Sequence, residues 1–377
     1  MAKPRPPKKN RQPAALTPDQ IAKARDFAAC AGSFEYFING FCYIQDRRPG
    51  SDTGEQMRFK LWPGQAKILP LFLTCLYLIA LKARQLGITW LAAAYVLWRA
   101  MFRFNEFILV VSENEDKAIE FLDRVKYIFD RLPSWMKPTV LKRATQELSF
   151  GIEERDDQGQ LKIGGLNSTI KSSPSTPTAG QSRTISCLVL DESALNRYVK
   201  EIWASAKPTL EHSGGQVIVI SNASKTAPGW GWTRDIYTGS MKGENDFRRL
   251  FMDWRAVPSR GDDFLDQQRR AGLDESDIEM QYPSTEEQAI SSLGGSYFGD
   301  TIASFKPFAG SLGYLRASEE TGKVGFYEET GRAGIIEVWR HPETVNLKYR
   351  YAIGSDVSEG LGESYSVAYV YDRRDDV

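Results

Sequence analysis

The clearest periodicity lies between residues 76 and 221, where short unbroken apolar runs alternate with stretches of helical spacing. Four of these runs, at 76–81, 107–111, 188–190 and 216–221, read as strands buried on both faces. Between them the spacing predicts a helix from Thr89 to about Met101 and another from about Asn114 to Leu132. The second gathers Ala118, Phe121, Leu122, Val125, Ile128 and Phe129 on one face. A third helix is predicted over about 197–211, and Thr17 or Asp19 is placed to cap a helix running through Ala29. Short strands are expected at 147–150 and 161–163, and the Ser-, Thr- and Pro-rich stretch 167–186 reads as a polar connection. Buried strands alternating with helices imply an α/β fold, with a mainly parallel central sheet flanked by helices.

Composition narrows this without redirecting it. A length of 377 residues suggests two domains, and 42% hydrophobic residues support a large core while excluding collagen, coiled coil and wholesale disorder. Lys+Arg and Asp+Glu are equal at 48 each, which argues against coating nucleic acid by bulk charge but leaves room for a local basic surface. The charge is uneven: Lys3, Arg5, Lys8, Lys9 and Arg11 form an acid-free start, whereas 262–287 holds nine acids and two bases. The expected organisation is a disordered basic tail at 1–17, a first domain at 18–295, and a second at 296–377 made of short strand-like pieces. The four cysteines are scattered with no C-x-x-C pair, and the only histidines are His212, in a Glu-His-Ser-Gly-Gly turn, and His341, so a zinc site is not expected. The apolar run 69–81 is broken by Pro70 and falls short of the ~20 residues of a membrane span, which together with the unpaired cysteines fits a cytoplasmic protein.

The sharpest chemical feature is Lys82-Ala83-Arg84-Gln85-Leu86-Gly87-Ile88-Thr89, set between a predicted strand and a predicted helix. A Walker A loop reads G-x-x-x-x-G-K-[ST], its amides and helix N-terminus cradling phosphates. Gly87 and Thr89 fall on the second glycine and the Mg²⁺-binding hydroxyl, while Lys82 takes the first glycine's place and Ile88 the lysine's. The neutralising base is then Lys82 or Arg84; the alternative is a surface turn carrying two bases. Cys187-Leu188-Val189-Leu190-Asp191-Glu192 has the Walker B form, with Asp191 suited to Mg²⁺ and Glu192 to orienting a water. The strand ending in Ser221, Asn222 and Ala223 offers polar groups that could sense a γ-phosphate. Upstream, the aromatic Trp62 and the amide of Gln65 could meet an adenine, or Trp62 could be a core residue.

In this order the motifs resemble those of the bacteriophage terminase large subunits, the ATP-driven motors that package double-stranded DNA into procapsids. The resemblance rests on the 82–87 loop as a deviant Walker A and on Ala179-Gly180-Gln181-Ser182-Arg183-Thr184 leading into Leu190-Asp191-Glu192. It extends through Ser221-Asn222-Ala223, Gln281-Tyr282-Pro283-Ser284-Thr285-Glu286-Glu287-Gln288-Ala289 and Ile353-Gly354-Ser355-Asp356-Val357-Ser358-Glu359-Gly360. It implies a P-loop ATPase of the ASCE type followed by an RNase H-like nuclease using Mg²⁺ or Mn²⁺. In that frame ATP lies on Lys82–Thr89, Arg84 acts on its phosphates, Thr89 and Asp191 hold Mg²⁺, and Glu192 is the catalytic carboxylate. Ser221 to Ala223 couple hydrolysis to DNA movement, and Asp356 is the first nuclease metal ligand. The implied partners are double-stranded DNA, the portal protein, the small terminase subunit and further copies of the chain in a ring on the procapsid, in the host cytoplasm and with no membrane. Ser364 stands where many relatives carry a second aspartate, and the chain ends after about one hairpin of the nuclease. The expectation is therefore an incomplete nuclease domain without cutting activity. The alternatives are another P-loop nucleic-acid translocase, or a prophage remnant or scaffold that binds portal or small terminase without turnover.

Overall fold

The computed structural model describes residues 16–45, 56–155, 160–181 and 184–291, together with five strands beyond residue 312. The chain divides into two compact units, residues 1–295 and 296–377. The expectations for the basic tail up to residue 15, Ser182, Arg183, His341, Val357 to Gly360 and Ser364 fall on residues outside those described.

The first unit opens with α1 (Pro18–Gly32) and α2 (Phe34–Phe41), then a small antiparallel pair, β1 (Tyr43–Gln45) with β2 (Gln56–Arg58). Thr17 starts α1 through a capping box with Gln20, and Pro18 stands in the first turn, where its missing N–H costs nothing. Two short helices, α3 (Pro63–Ala66) and α4 (Leu69–Thr74), lead into β3 (Tyr77–Lys82), α5 (Ile88–Phe102), β4 (Phe107–Ser112) and α6 (Glu115–Arg131). Next come β5 (Val140–Ala144), β6 (Glu147–Arg155), β7 (Leu161–Pro174), β8 (Cys187–Asp191), α7 (Val199–Ser213) and β9 (Gln216–Ser221). The unit closes with α8 (Trp230–Lys242), β10 (Arg248–Met252) and the short helices α9 (Phe264–Arg270), α10 (Glu275–Gln281) and α11 (Glu286–Ile290).

One eight-stranded sheet organises this unit, in the order β10-β3-β9-β8-β4-β7-β6-β5. The first six strands run parallel, and β6 and β5 add an antiparallel edge. Alternate side chains of the central strands point to opposite faces, as the pleat requires. Leu78, Ala80, Ile108, Val110, Val189, Ile218 and Ile220 join a core with α1, α2, α5 and α6. Ile79, Leu81, Leu109, Val111, Leu188, Leu190, Val217 and Val219 join a second core with α7 and α8. Both faces are thus covered, which is why these strands read as continuous apolar runs rather than alternating ones.

Two expectations are corrected. The stretch 167–186 is not all connection: its first part is the end of the 14-residue strand β7, paired parallel to β4 from Thr169 to Pro174. Its Ser and Lys content hid it, because β7 is the strand at which the sheet turns from parallel to antiparallel and it mixes buried with exposed positions. His212 lies not in a turn but in the last turn of α7, where it is exposed; the left-handed Gly214 ends that helix.

In the second unit β11 (Gly313–Ala317) lies between β12 (Val324–Tyr327) and β13 (Ile336–Val338), all antiparallel, and β14 (Tyr351–Asp356) pairs antiparallel with β15 (Val367–Asp372). Asp356 is the last residue of β14 and stands opposite Val367.

Candidate nucleotide site

Ligands of open α/β sheets bind outside the carboxyl ends of the strands, and here three adjacent strands deliver polar groups to that edge. β9 lies between β3 and β8, with Leu81 level with Ser221 and Asp191 level with Ile220. The residues that follow each register position, Lys82, Asn222 and Glu192, are therefore neighbours although up to 140 positions separate them.

Lys82 is buried, and its Nζ donates to Glu192 Oε1 at 2.8 Å and to Asn222 Oδ1 at 2.7 Å. The amide of Asn222 donates to the other carboxylate oxygen, Glu192 Oε2, at 3.2 Å. Ser221 Oγ accepts from the Ala194 amide at 3.0 Å, tying the end of β9 to the turn that carries Glu192. Glu192 itself has φ of 51°, left-handed for a non-glycine residue, a strain of about 1–3 kcal/mol that such surrounding bonds must offset.

The loop between β3 and α5 turns through two left-handed residues, Gln85 at φ 63° and Gly87 at φ 70°. The left-handed φ at Gly87 favours glycine, and a Cβ there would also press on the Gln65 amide, at 2.7 Å from Nε2. Ala83 N donates to Met252 O and Arg84 N to Gln281 O, both at 2.9 Å. The Gln281-to-Ala289 segment therefore backs the loop, and Trp254 Nε1 holds it further by donating to Ser284 Oγ at 3.0 Å. Ile88, at the lysine's position in the motif, is 1% exposed and belongs to the core, so it offers the site nothing polar. Arg84 is exposed, while Leu86 and Ala83 are buried.

Gln65 and Trp62 have protein partners of their own. Gln65 is buried, accepts from Trp62 N at 3.0 Å and donates from Nε2 to Leu86 O at 2.9 Å, so its amide braces the Lys82–Thr89 loop. Trp62 packs against the larger core.

Thr89, on the first turn of α5, donates to Asp191 Oδ1 at 3.3 Å. Burial, then the charge of neighbouring Glu192, pushes the Asp191 carboxyl up to about 7. Both line a cavity of about 210 Å³ with Ser112, Lys117, Arg124 and Glu192. Among the described residues no three His, Cys, Asp or Glu could hold a metal by themselves. Mg²⁺, however, is commonly held by one or two protein oxygens with phosphates and waters completing the shell. The oxygen donors of Thr89 and Asp191 fit that pattern. Ser112 Oγ, buried at the same edge without a hydrogen-bond partner among the described residues, is a further oxygen suited to a bound water.

Sequence reasoning missed Lys117 and Arg124. They lie on the polar face of α6, and only the start of that helix at the carboxyl end of β4 points to them. It also missed Arg260, whose Nη2 donates to Arg84 O at 3.0 Å from 176 positions away.

Comparison with known proteins now bears on this edge. The family described as terminase large subunit, T4likevirus-type, N-terminal, matches residues 79–282, more than half of the chain. The chain belongs to the terminase large subunits. It is thus an ATPase subunit of a phage DNA-packaging motor, and the matched segment contains Lys82, Thr89, Asp191, Glu192 and Asn222. Similar solved structures include the large terminase ATPase domain of Thermus phage P74-26, at 19% identity over 55% of this chain and 88% of that chain, with a TM-score of 0.46. The large terminase of a thermophilic bacteriophage, in complex with ADP, is 14% identical over 83% of this chain and 69% of that one, with a TM-score of 0.42. The HK97 bacteriophage large terminase is 16% identical over 76% and 62%, with a TM-score of 0.46. Among curated proteins none matches. No helix among the described residues is long and apolar enough to cross a membrane.

Proposed function

We propose that this terminase subunit hydrolyses ATP at the carboxyl edge of β3, β9 and β8, with the phosphates on the Lys82–Thr89 loop. The observation that carries the reading is the convergence of Lys82 on Glu192 and Asn222, beside the Thr89–Asp191 pair. Lys82 supplies the charge that the motif's usual lysine would bring, entering from the end of β3 rather than from the first turn of α5. Arg84, exposed on the loop, is free to reach a phosphate. Thr89 and Asp191 would hold Mg²⁺, which when bound neutralises phosphate charge as the bond to the leaving group breaks.

Glu192 accepts a proton from the attacking water and orients it. Its two oxygens are held by Lys82 Nζ and Asn222 N, and a phosphate that draws Lys82 away breaks the contacts of Lys82 to Glu192 and to Asn222 at once. Asn222 is then the residue through which the state of the phosphate reaches β9, and Ser221 passes it to the Ala194 turn. This is a physical form for the coupling assigned to Ser221, Asn222 and Ala223. The work so coupled is movement of double-stranded DNA through a portal by several copies of the chain, with a small terminase subunit.

The test is Glu192→Gln. Nucleotide binding should persist within a few-fold while turnover falls by about 10²–10⁴-fold, the usual worth of a positioned general base. Unchanged turnover would remove Glu192 from the chemistry.

A further inference from the structure

We infer that Arg260 is a positioning residue for the phosphate loop, setting the direction of the Gln85 amide. The inference rests on the loop being the phosphate site.

A peptide plane is rigid, and in its trans form C=O and N–H point in opposite directions. A loop that collects phosphate oxygens on its amides must therefore turn its carbonyls outward and satisfy them there. Two carbonyls of this loop are held in that way by side chains from other segments. Gln65 donates to Leu86 O and so directs the Gly87 amide inward. Arg260 Nη2 donates to Arg84 O at 3.0 Å and so directs the Gln85 amide. The amides of Gln85, Leu86 and Gly87 carry no hydrogen bond among the described residues. The plane that Arg260 holds leads into Gln85, whose left-handed φ of 63° is costly for a residue with a Cβ.

Arg260 is built for the task. Its guanidinium lies 4.6 Å from the Phe264 ring centre and 5.2 Å from that of Tyr282, and Nη1 donates to Trp254 O at 3.3 Å. Phe264 in turn stacks on Trp254 and meets Tyr282 edge-on. A planar fork between rings is a geometry that lysine cannot reproduce. No carboxylate pairs with Arg260 among the described residues, so its charge remains available to attract phosphate from behind the loop.

The experiment compares Arg260→Ala, Arg260→Lys and Glu192→Gln in the full chain. The readouts are equilibrium binding of a fluorescent ADP analogue, KM and kcat for ATP, and thermal unfolding without nucleotide. Losing a charge-assisted hydrogen bond should weaken nucleotide binding and raise KM by about tenfold or more. kcat should change by less than about threefold, and Arg260→Lys should recover only part of the affinity. Millimolar guanidinium should partly restore binding to Arg260→Ala but not to the parent. Unchanged affinity in a folded Arg260→Ala, or full recovery by lysine, would overturn the inference. If the alanine variant does not fold, Arg260→Lys alone decides by the same affinity criterion. Loss of turnover in Glu192→Gln alongside unaltered binding in the Arg260 variants would reject only the role of Arg260. Undiminished turnover in Glu192→Gln would instead remove Glu192 from the chemistry and leave the binding readouts to judge Arg260.

Discussion

Lys82 occupies a position that the usual phosphate-loop pattern gives to glycine, and its surroundings explain how a lysine is tolerated there. It closes β3, is only 4% exposed, and is satisfied by a carboxylate and an amide oxygen rather than by water. Lys82→Ala should lower ATP turnover by about 10²–10³-fold, the scale of losing one preorganised charge partner. Stability should change little, because Glu192 keeps about a quarter of its side chain in solvent and can rehydrate. A denaturant midpoint that drops steeply with turnover intact would make Lys82 structural instead. The cysteines allow a second check at this scale. Burial pushes the Cys30 thiol up to about 12 and Cys187 to about 11, and raises Cys42 well above the ordinary range. Cys75 alone is partly exposed. Since the thiolate is the reactive form, a disulfide reagent at pH 8 should titrate one thiol in the native chain and four after unfolding. Rapid reaction of two or more native thiols would contradict this burial.

Among the elements, the central strands and the helices beside them were legible because both faces of the sheet are covered. The six α6 residues predicted to share a face are the six it buries. The rest of β7 beyond 161–163, together with β5 and β10, was not legible, since edge and turning strands carry mixed polarity and no alternation marks them. The site divides in the same way. Lys82, Thr89, Asp191 and Asn222 stand at strand ends or helix starts, where local pattern locates them, whereas Arg260 and Gln65 act through contacts that only the folded topology creates. The opposite end of the sheet holds a polar cluster that no motif announced. Arg99 of α5 pairs with Glu106 at 2.9 Å and donates to Gln216 Oε1 at 2.8 Å, all of them buried. Glu106 precedes β4 and Gln216 opens β9, so this cluster lies a full strand, about 15–20 Å, from the carboxyl edge of the sheet. Glu106→Gln should destabilise the fold by about 3–5 kcal/mol by leaving a buried guanidinium unpaired, while Arg99→Met with Glu106→Leu should recover most of that. Urea midpoints of the single and double variants measure it, and surviving folded protein should keep its ATP affinity. A single variant that unfolds like the parent would show the pair to be dispensable.

At the scale of the whole first unit, the site is not owned by any one stretch of sequence. The loop is braced by Gln65 from before β3, by Met252 from β10 and by Gln281 from α10, while Glu192 and Asn222 come from the middle of the chain. Lys225 continues the segment after Asn222, and its buried Nζ reaches Ser291 Oγ at 3.0 Å and Glu279 at 3.7 Å. The acidic 262–287 segment is thus attached to both the Lys82–Thr89 loop and the segment that follows β9. A ligand that requires all these pieces in place binds only the folded unit, and it must stabilise that unit by mass action. At a concentration 100 times its dissociation constant, a non-hydrolysable ATP analogue with Mg²⁺ should add about 2.7 kcal/mol. That corresponds to a rise of roughly 4–5 °C in the unfolding midpoint of a domain of this size. Because the chain has two units, calorimetry should show the rise in the transition of the first unit alone. Glu279→Ala, which leaves Lys225 buried without its carboxylate, should lower that transition yet leave the ligand-induced rise nearly intact. A rise abolished by Glu279→Ala but spared by Lys82→Ala would place the ligand away from the carboxyl edge of the sheet.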